Sequence, residues 1–395
     1  MTLVPRRGED SIPFRATRAR VDVDRIVSNL AAIRKRVARA QVMPVVKANA
    51  YGHGAPAVAL ALERAGADGL CVALLEEGVE LRRCGVACPI LLIGPLAPGQ
   101  IGPAIDERLT PTVYRPDLLE PVEAAGRRLG RPAGFQLKLD TGMSRLGVSA
   151  RDLPVLIDRI ALSRYMRLEG VYSSLACADQ PENPINARQV ALFEESLAAL
   201  SARGISAGVR HLANSAAIAF LPKTVYDAVR PGILIYGVPP STGFDDTLVH
   251  PALSLHSEVV QARDVPAGAA VGYAATFRTE APRRLATIPA GYDDGLMRSL
   301  SNRGCVLVNG RRAPLAGRIS MDLAVADVTG CGDVKPGDEV VLIGAQGSEQ
   351  LTAWEVSESA GTIPWELLCR IGGRVPRDYY EGGKITGRWS RWQRS

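Results

Sequence analysis

Met43-Pro44-Val45-Val46-Lys47-Ala48-Asn49-Ala50-Tyr51-Gly52-His53-Gly54 is the stretch whose reading settles the fold. Residues 43–46 are apolar and end on two β-branched valines, the mark of a short strand. The first polar residue after them is a lysine at the strand's carboxyl end. A doubly wound sheet with the same local pattern usually opens its first turn with a glycine-rich phosphate loop, and none follows here. Seven further β-rich runs come downstream, at residues 70–73, 90–93, 111–114, 135–139, 170–175, 209–212 and 225–229. Helical patterns such as 55–65, 75–84, 116–129, 151–162 and 187–203 separate most of them. Eight strands alternating with helices are what a closed barrel requires. The expected class is α/β: a (β/α)8 TIM-type barrel followed by a smaller, mostly-β C-terminal domain.

The pattern changes near Pro251. Residues 255–261, 284–288, 305–308, 323–328 and 339–343 are short, β-branched and punctuated by Gly, Pro and Asn. Asn309-Gly310 between apolar runs is a strong hairpin signal, and one late helix is expected around 354–360. Residues 1–14 mix Pro, Arg and acidic side chains without an apolar h-region and read as an exposed leader. The expected division is therefore a leader over 1–14, a barrel over 15–250 and a β-rich domain over 251–395.

Composition narrows the function. Of the 395 residues, 47% are hydrophobic, enough for sizeable cores, and the formal charge of +6 is spread along the chain. A nucleic-acid binder gathers its basic residues on one face or element, so none is expected as a partner. No apolar run reaches the roughly 18 residues of a membrane span. The seven cysteines are odd in number, and only Cys84 and Cys88 are close, with no third ligand near them to make a metal site. Free thiols and a cytoplasmic protein are the expectation.

A lysine at a barrel strand's end is suited to Schiff-base chemistry, because burial can depress its pKa and expose a neutral amine. Taken alone, Lys47 reads better as a surface lysine after a strand. Its surroundings decide otherwise. The chain resembles the alanine racemases, fold-type III pyridoxal-phosphate enzymes, over about residues 18–380. The resemblance is carried by Lys47 to Gly54, Lys138-Leu139-Asp140-Thr141-Gly142-Met143-Ser144-Arg145-Leu146-Gly147 and His211-Leu212-Ala213-Asn214-Ser215-Ala216. It continues through Arg230-Pro231-Gly232-Ile233, Val271-Gly272-Tyr273, Ile288-Pro289-Ala290-Gly291-Tyr292 and Gly317-Arg318-Ile319-Ser320-Met321-Asp322.

The resemblance implies that Lys47 carries pyridoxal 5'-phosphate and that Lys47 and Tyr273 are the two bases. Racemisation needs a proton taken from one face of Cα and returned to the other, and both groups have ordinary pKa values near 10. It implies a homodimer in which Tyr273 comes from the partner subunit, and a product, D-alanine, used in cell-wall peptidoglycan. Arg230 is expected to face the pyridine nitrogen. Gly232 and Ile233 are expected to offer backbone amides to the phosphate, with the Ser215 hydroxyl and the Tyr51 phenol. Asn214 either orders that pocket or serves as a cap. Arg145 is expected to meet the cofactor's phenolic oxygen and the substrate carboxylate, and the Met321 amide that carboxylate too. In some members the lysine matching Lys138 is carbamylated, which makes it an anion that positions the arginine.

Two positions depart from the family pattern. Ser174 stands where a histidine usually packs on the cofactor ring, and the expected consequence is weaker ring packing and weaker support for Arg230. Trp365 replaces a tyrosine that gates the pocket and touches the phosphate. Asp179, Arg298, Arg318 and Ile363 match the family's substrate corridor. The competing readings are a barrel decarboxylase, whose late catalytic cysteine context is missing, a racemase of serine or another amino acid, and a non-catalytic pyridoxal-phosphate carrier, which would have the barrel alone.

Overall fold

The computed structural model describes residues 15–244 and 246–390; the expected leader over 1–14 lies outside them. The first strand, β1 (Arg18–Asp22), belongs to the β-rich unit and not to the barrel. Its alternation of charged and buried residues, with Ala19 and Val21 fully covered, suits a strand packed on one face. β1 runs antiparallel to Leu253–Glu258 and parallel to Arg377–Glu381.

The barrel unit comprises Ile26–Ala50 and Val58–His250. Its strands are β2 (Gln41–Val42), β3 (Leu70–Val72), β4 (Ile90–Leu92), β5 (Thr112–Val113), β6 (Ala133–Lys138), β7 (Met166–Tyr172), β8 (Val209–Asn214) and β9 (Ala228–Arg230). All neighbours are parallel: β5 to β9 and then β2 form one path, and β3 pairs with β4. Single bridges join the two sets, Val45 with Cys71 and Leu91 with Thr110. Backbone hydrogen bonds of 2.9 Å from Cys71 to Pro44 and from Val46 to Cys71 seal the first seam. The expected eight-stranded barrel is thus a closed ring. Its helices cover it by apolar stripes: Ile26, Leu30, Ile33 and Val37 are all buried at helical spacing.

The β-rich unit holds the described chain up to Arg25, residues 51–57, and everything from Pro251. Its main sheet runs in the order Arg311–Pro314, Cys305–Val308, Glu339–Gln346, Leu253–Glu258, β1, Arg377–Glu381 and Lys384–Trp389. Asn309 and Gly310 both take positive φ, 52° and 70°, between paired Val308 and Arg311, as a type I′ hairpin demands. The expected boundary at 15–250 therefore needs correcting at two places, β1 and residues 51–57. The second is physical keying: a Cβ on Gly52 would lie 2.2 Å from the Leu368 carbonyl oxygen, and one on Gly54 would lie 1.9 Å from the Tyr379 hydroxyl. The late helix at Ala353–Ala360 is joined by a second, Pro364–Cys369, that sequence patterning missed.

Candidate active site

Lys47 follows β2 at the carboxyl end of the strands, half-buried. The next four residues, Ala48 to Tyr51, all have φ of 51–54°. This left-handed turn costs roughly 1–2 kcal/mol for each residue that carries a Cβ, so it needs anchors. Glu77 supplies one: its carboxylate accepts from the Ala48 amide at 2.7 Å while also holding the Ala73 and Leu74 amides. The Ala50 amide bonds Val46 at 2.9 Å. Within the β-rich unit, His53 Nδ1 lies 3.0 Å from the Tyr51 carbonyl, and Arg377, fully buried, donates to the carbonyls of Gly52, Gly372, Val375 and Ile371. Glu77 and Arg377 act on backbone atoms, which leaves no motif to read.

Arg230 closes β9 and is buried. Its guanidinium donates to His211 Nδ1, to the Ser173 carbonyl at 2.6 Å, and to the carbonyls of His211 and Leu212 at 3.0 and 3.4 Å. All these acceptors are neutral. Arginine only donates, so His211 Nδ1 is bare, and its Nε2 carries the proton and donates to Gln136 Oε1 at 2.7 Å. Burial, then the charge of Arg230, holds His211 well below the ordinary histidine range; the imidazole stays neutral. The His211 ring stacks on Tyr172 at 4.8 Å and 12°, and Tyr172 hydrogen-bonds Thr112 at 2.9 Å. Arg230 therefore keeps firm support although Ser174 replaces the family histidine. Ser174 itself is fixed through its carbonyl, which accepts from Gln189 Nε2 at 3.0 Å.

Lys138 ends β6 beneath the same cluster, its ammonium 5.4 Å from the Tyr172 ring centre. Burial first, then Arg230, Arg145 and Lys47, pull its pKa down to about 8. Arg145 is exposed on a loop that Asp140 organises by accepting the Gly142 and Ser144 amides at 3.0 Å each. Cys71 is a spectator thiol, pushed up to about 12 by burial despite Arg230 and Lys47.

Ser215 is the anion-ready group. Its Oγ accepts from the Gly232 amide at 2.8 Å and the Leu234 amide at 3.4 Å, so its hydroxyl hydrogen is left to donate elsewhere. Ile233 is buried beside Gly232. Asn214 takes the cap role: its side chain accepts from the Ala217 amide at 3.0 Å. Amine, cations and a spare hydroxyl donor suit an anionic aldehyde cofactor such as pyridoxal phosphate.

The β-rich unit carries the remaining candidates. Tyr273 sits at the tip between the paired strands Ala270–Val271 and Phe277–Arg278, 73% exposed, with Gly272, Ala274 and Ala275 at positive φ. Met321 is half exposed. Its loop is pinned by Arg374, which donates to the Met321 carbonyl at 3.0 Å and to Asp322 and Asp294 at 2.8 Å. Asp294 is fully buried, also meets Arg15, and accepts the Gly291 amide. Trp365 lies on the helix Pro364–Cys369.

A family model described as the alanine racemase N-terminal domain matches residues 21–240, and one described as the alanine racemase C-terminal domain matches 252–379. The alanine racemase of Symbiobacterium thermophilum is 43% identical over 375 residues, covering 94% of this chain and 99% of its own. That of Syntrophobacter fumaroxidans is 42% identical over 363 residues, covering 90% of this chain and 96% of its own. The solved alanine racemase from the D-cycloserine producer Streptomyces lavendulae superposes with a TM-score of 0.90 at 39% identity, covering 94% of this chain and 98% of that one. With both halves matched in order and relatives running along nearly its whole length, the chain belongs to the alanine racemase family and interconverts the enantiomers of alanine with pyridoxal phosphate.

Proposed function

We propose that Lys47 and Tyr273 are the two bases of this racemase and that each active site is shared between two chains. The observation that carries the reading is the contrast between them: Lys47 stands half-buried at the strand ends, whereas Tyr273 is held out on a hairpin tip, 73% exposed in its own chain. The cofactor ring, when bound at Lys47, supplies the electron sink for the loss of the α-proton. The protein does the rest. Lys47 Nζ moves the proton on one face of Cα and the Tyr273 hydroxyl on the other. Arg230 cannot give up a proton at neutral pH, so it would leave the pyridine nitrogen of a bound cofactor unprotonated, and the weaker electron sink would disfavour side reactions such as transamination. Arg145 and the Met321 amide orient the substrate carboxylate. Ser215, Gly232, Ile233 and Tyr51 hold the phosphate, and carbamylated Lys138 steadies Arg145. No helix among the described residues is long and apolar enough to cross a membrane; we place the enzyme in the cytoplasm, supplying D-alanine for peptidoglycan.

Borohydride reduction of the holoenzyme followed by peptide mass spectrometry should find the cofactor on Lys47. Tyr273→Phe should slow α-proton exchange in heavy water from L-alanine by about 100-fold or more, with far less effect on D-alanine. An adduct on another lysine, or equal losses for both enantiomers, removes the assignment.

A further inference from the structure

Two adjacent peptide planes decide where Lys47 points. The plane between Val46 and Lys47 is held at the Val46 carbonyl, which accepts from the Ala50 amide at 2.9 Å. The plane between Lys47 and Ala48 is held at the Ala48 amide, which donates to Glu77 Oε1 at 2.7 Å. Peptide units are rigid, so pinning both planes sets φ and ψ of Lys47 and with them the direction of its Cα–Cβ bond. We propose that Glu77 is a positioning residue: through the Ala48 amide it presents the Lys47 amine to pyridoxal phosphate and thereby governs how tightly the cofactor is kept. The inference rests on the reading of Lys47 as the lysine that carries the cofactor. Lys47, Ala48, Ala50 and Glu77 all lie within the barrel unit.

Glu77 also closes a helix. It is the third residue of Leu75–Arg83, and its Oε2 accepts the Ala73 and Leu74 amides at 2.8 and 3.1 Å. Glutamine serves at this helix position as well as glutamate does, so closing the helix needs no carboxylate. Three amide donors converging on two oxygens do need one. An ionised carboxylate only accepts, whereas a glutamine side chain accepts at its oxygen and donates from its nitrogen. With a glutamine oxygen kept on the helix end, where it satisfies two donors, the nitrogen would meet the Ala48 N–H, donor against donor. The helix then keeps its closure while the Lys47–Ala48 plane loses its anchor. Ala48 and Ala50 are held at φ of 51° and 53°, a conformation that alanine leaves when released. One substitution thus separates the two roles of Glu77.

The test compares wild-type holoenzyme with Glu77→Gln and Glu77→Ala. Two quantities are read: hydrogen exchange of single backbone amides by fragmentation mass spectrometry, and the pyridoxal-phosphate Kd from stepwise dilution. In Glu77→Gln the Ala48 amide should exchange about tenfold faster, while the Ala73 and Leu74 amides keep their wild-type protection. The Kd should rise by about tenfold, the worth of one hydrogen bond to a charged group. Glu77→Ala should lose protection at all three amides, and if it does not fold the glutamine variant carries the comparison alone. Wild-type Ala48 protection or wild-type Kd in Glu77→Gln overturns the proposal. So does equal loss of protection at Ala48, Ala73 and Leu74 in that variant, which would mark Glu77 as a helix cap alone. A borohydride adduct on a lysine other than Lys47 in the wild-type enzyme overturns the underlying reading of Lys47 instead.

Discussion

Lys138 is a buried amine among three other cations, and its chemistry follows from that company. With its pKa near 8, roughly a tenth of it is neutral at pH 7, against about one part in three thousand for an ordinary lysine. Only the neutral amine attacks carbon dioxide, forming an N–C bond and releasing one proton. In 13C-bicarbonate, a carbamate signal should therefore grow as pH rises toward 8 and vanish in Lys138→Arg. The uncarbamylated lysine has the opposite sign from an ion-paired one. Its folded-state pKa lies below its unfolded value, so it disfavours folding below about pH 8 and this cost fades as pH rises toward 10. At this scale Lys47, Arg230 and Ser215 were legible because each stands inside a contiguous motif. Gln136 and Glu77 were not. One acts through the far nitrogen of His211 and the other through backbone amides, and neither leaves a local pattern.

Among the elements, the loop that presents Met321 depends on one buried carboxylate. Asp294 bridges Arg15 and Arg374, and Arg374 reaches on to Met321 and Asp322. Removing one member of a buried ionic set leaves charge unpaired, typically at 3–5 kcal/mol. Asp294→Ala should lower stability in urea by about 3 kcal/mol and raise KM for alanine more than it lowers kcat; an unchanged KM would separate this hub from carboxylate binding. Seven of the eight barrel strands overlap an expected apolar run, but the first is Gln41–Val42, just ahead of the expected 43–46, where only Val45 bridges a neighbour. The turn from Ala48 to Tyr51 was invisible, because in Ala-Asn-Ala-Tyr only Asn49 takes a left-handed backbone readily. The anchor that reaches it lies elsewhere in the chain, in the Glu77 carboxylate that accepts the Ala48 amide.

At the scale of the whole molecule, sharing a site between chains has a quantitative signature. Mixing Lys47→Ala and Tyr273→Phe chains and allowing subunits to exchange should produce heterodimers with one intact site, recovering roughly a quarter of wild-type activity when exchange is random. No recovery after verified exchange would mean that one chain builds each site alone. The division into two units was legible near residue 250 and misread at the start of the chain. Arg18–Asp22 alternates as any half-buried strand does, and only its distant partners Leu253–Glu258 and Arg377–Glu381 reveal which sheet claims it.

That placement of β1 governs how the protein comes off the ribosome. The strand is made long before its parallel neighbour Arg377–Glu381, which follows more than 350 residues later. At about 5–20 residues per second, the gap is roughly 20–70 seconds. Throughout that interval the nascent β-rich unit has an open edge, while the barrel, completed by His250, can already close. Synthesis therefore separates the two units in time: every barrel strand is available once His250 has been made, whereas β1 cannot pair with Arg377–Glu381 in the main sheet until much later.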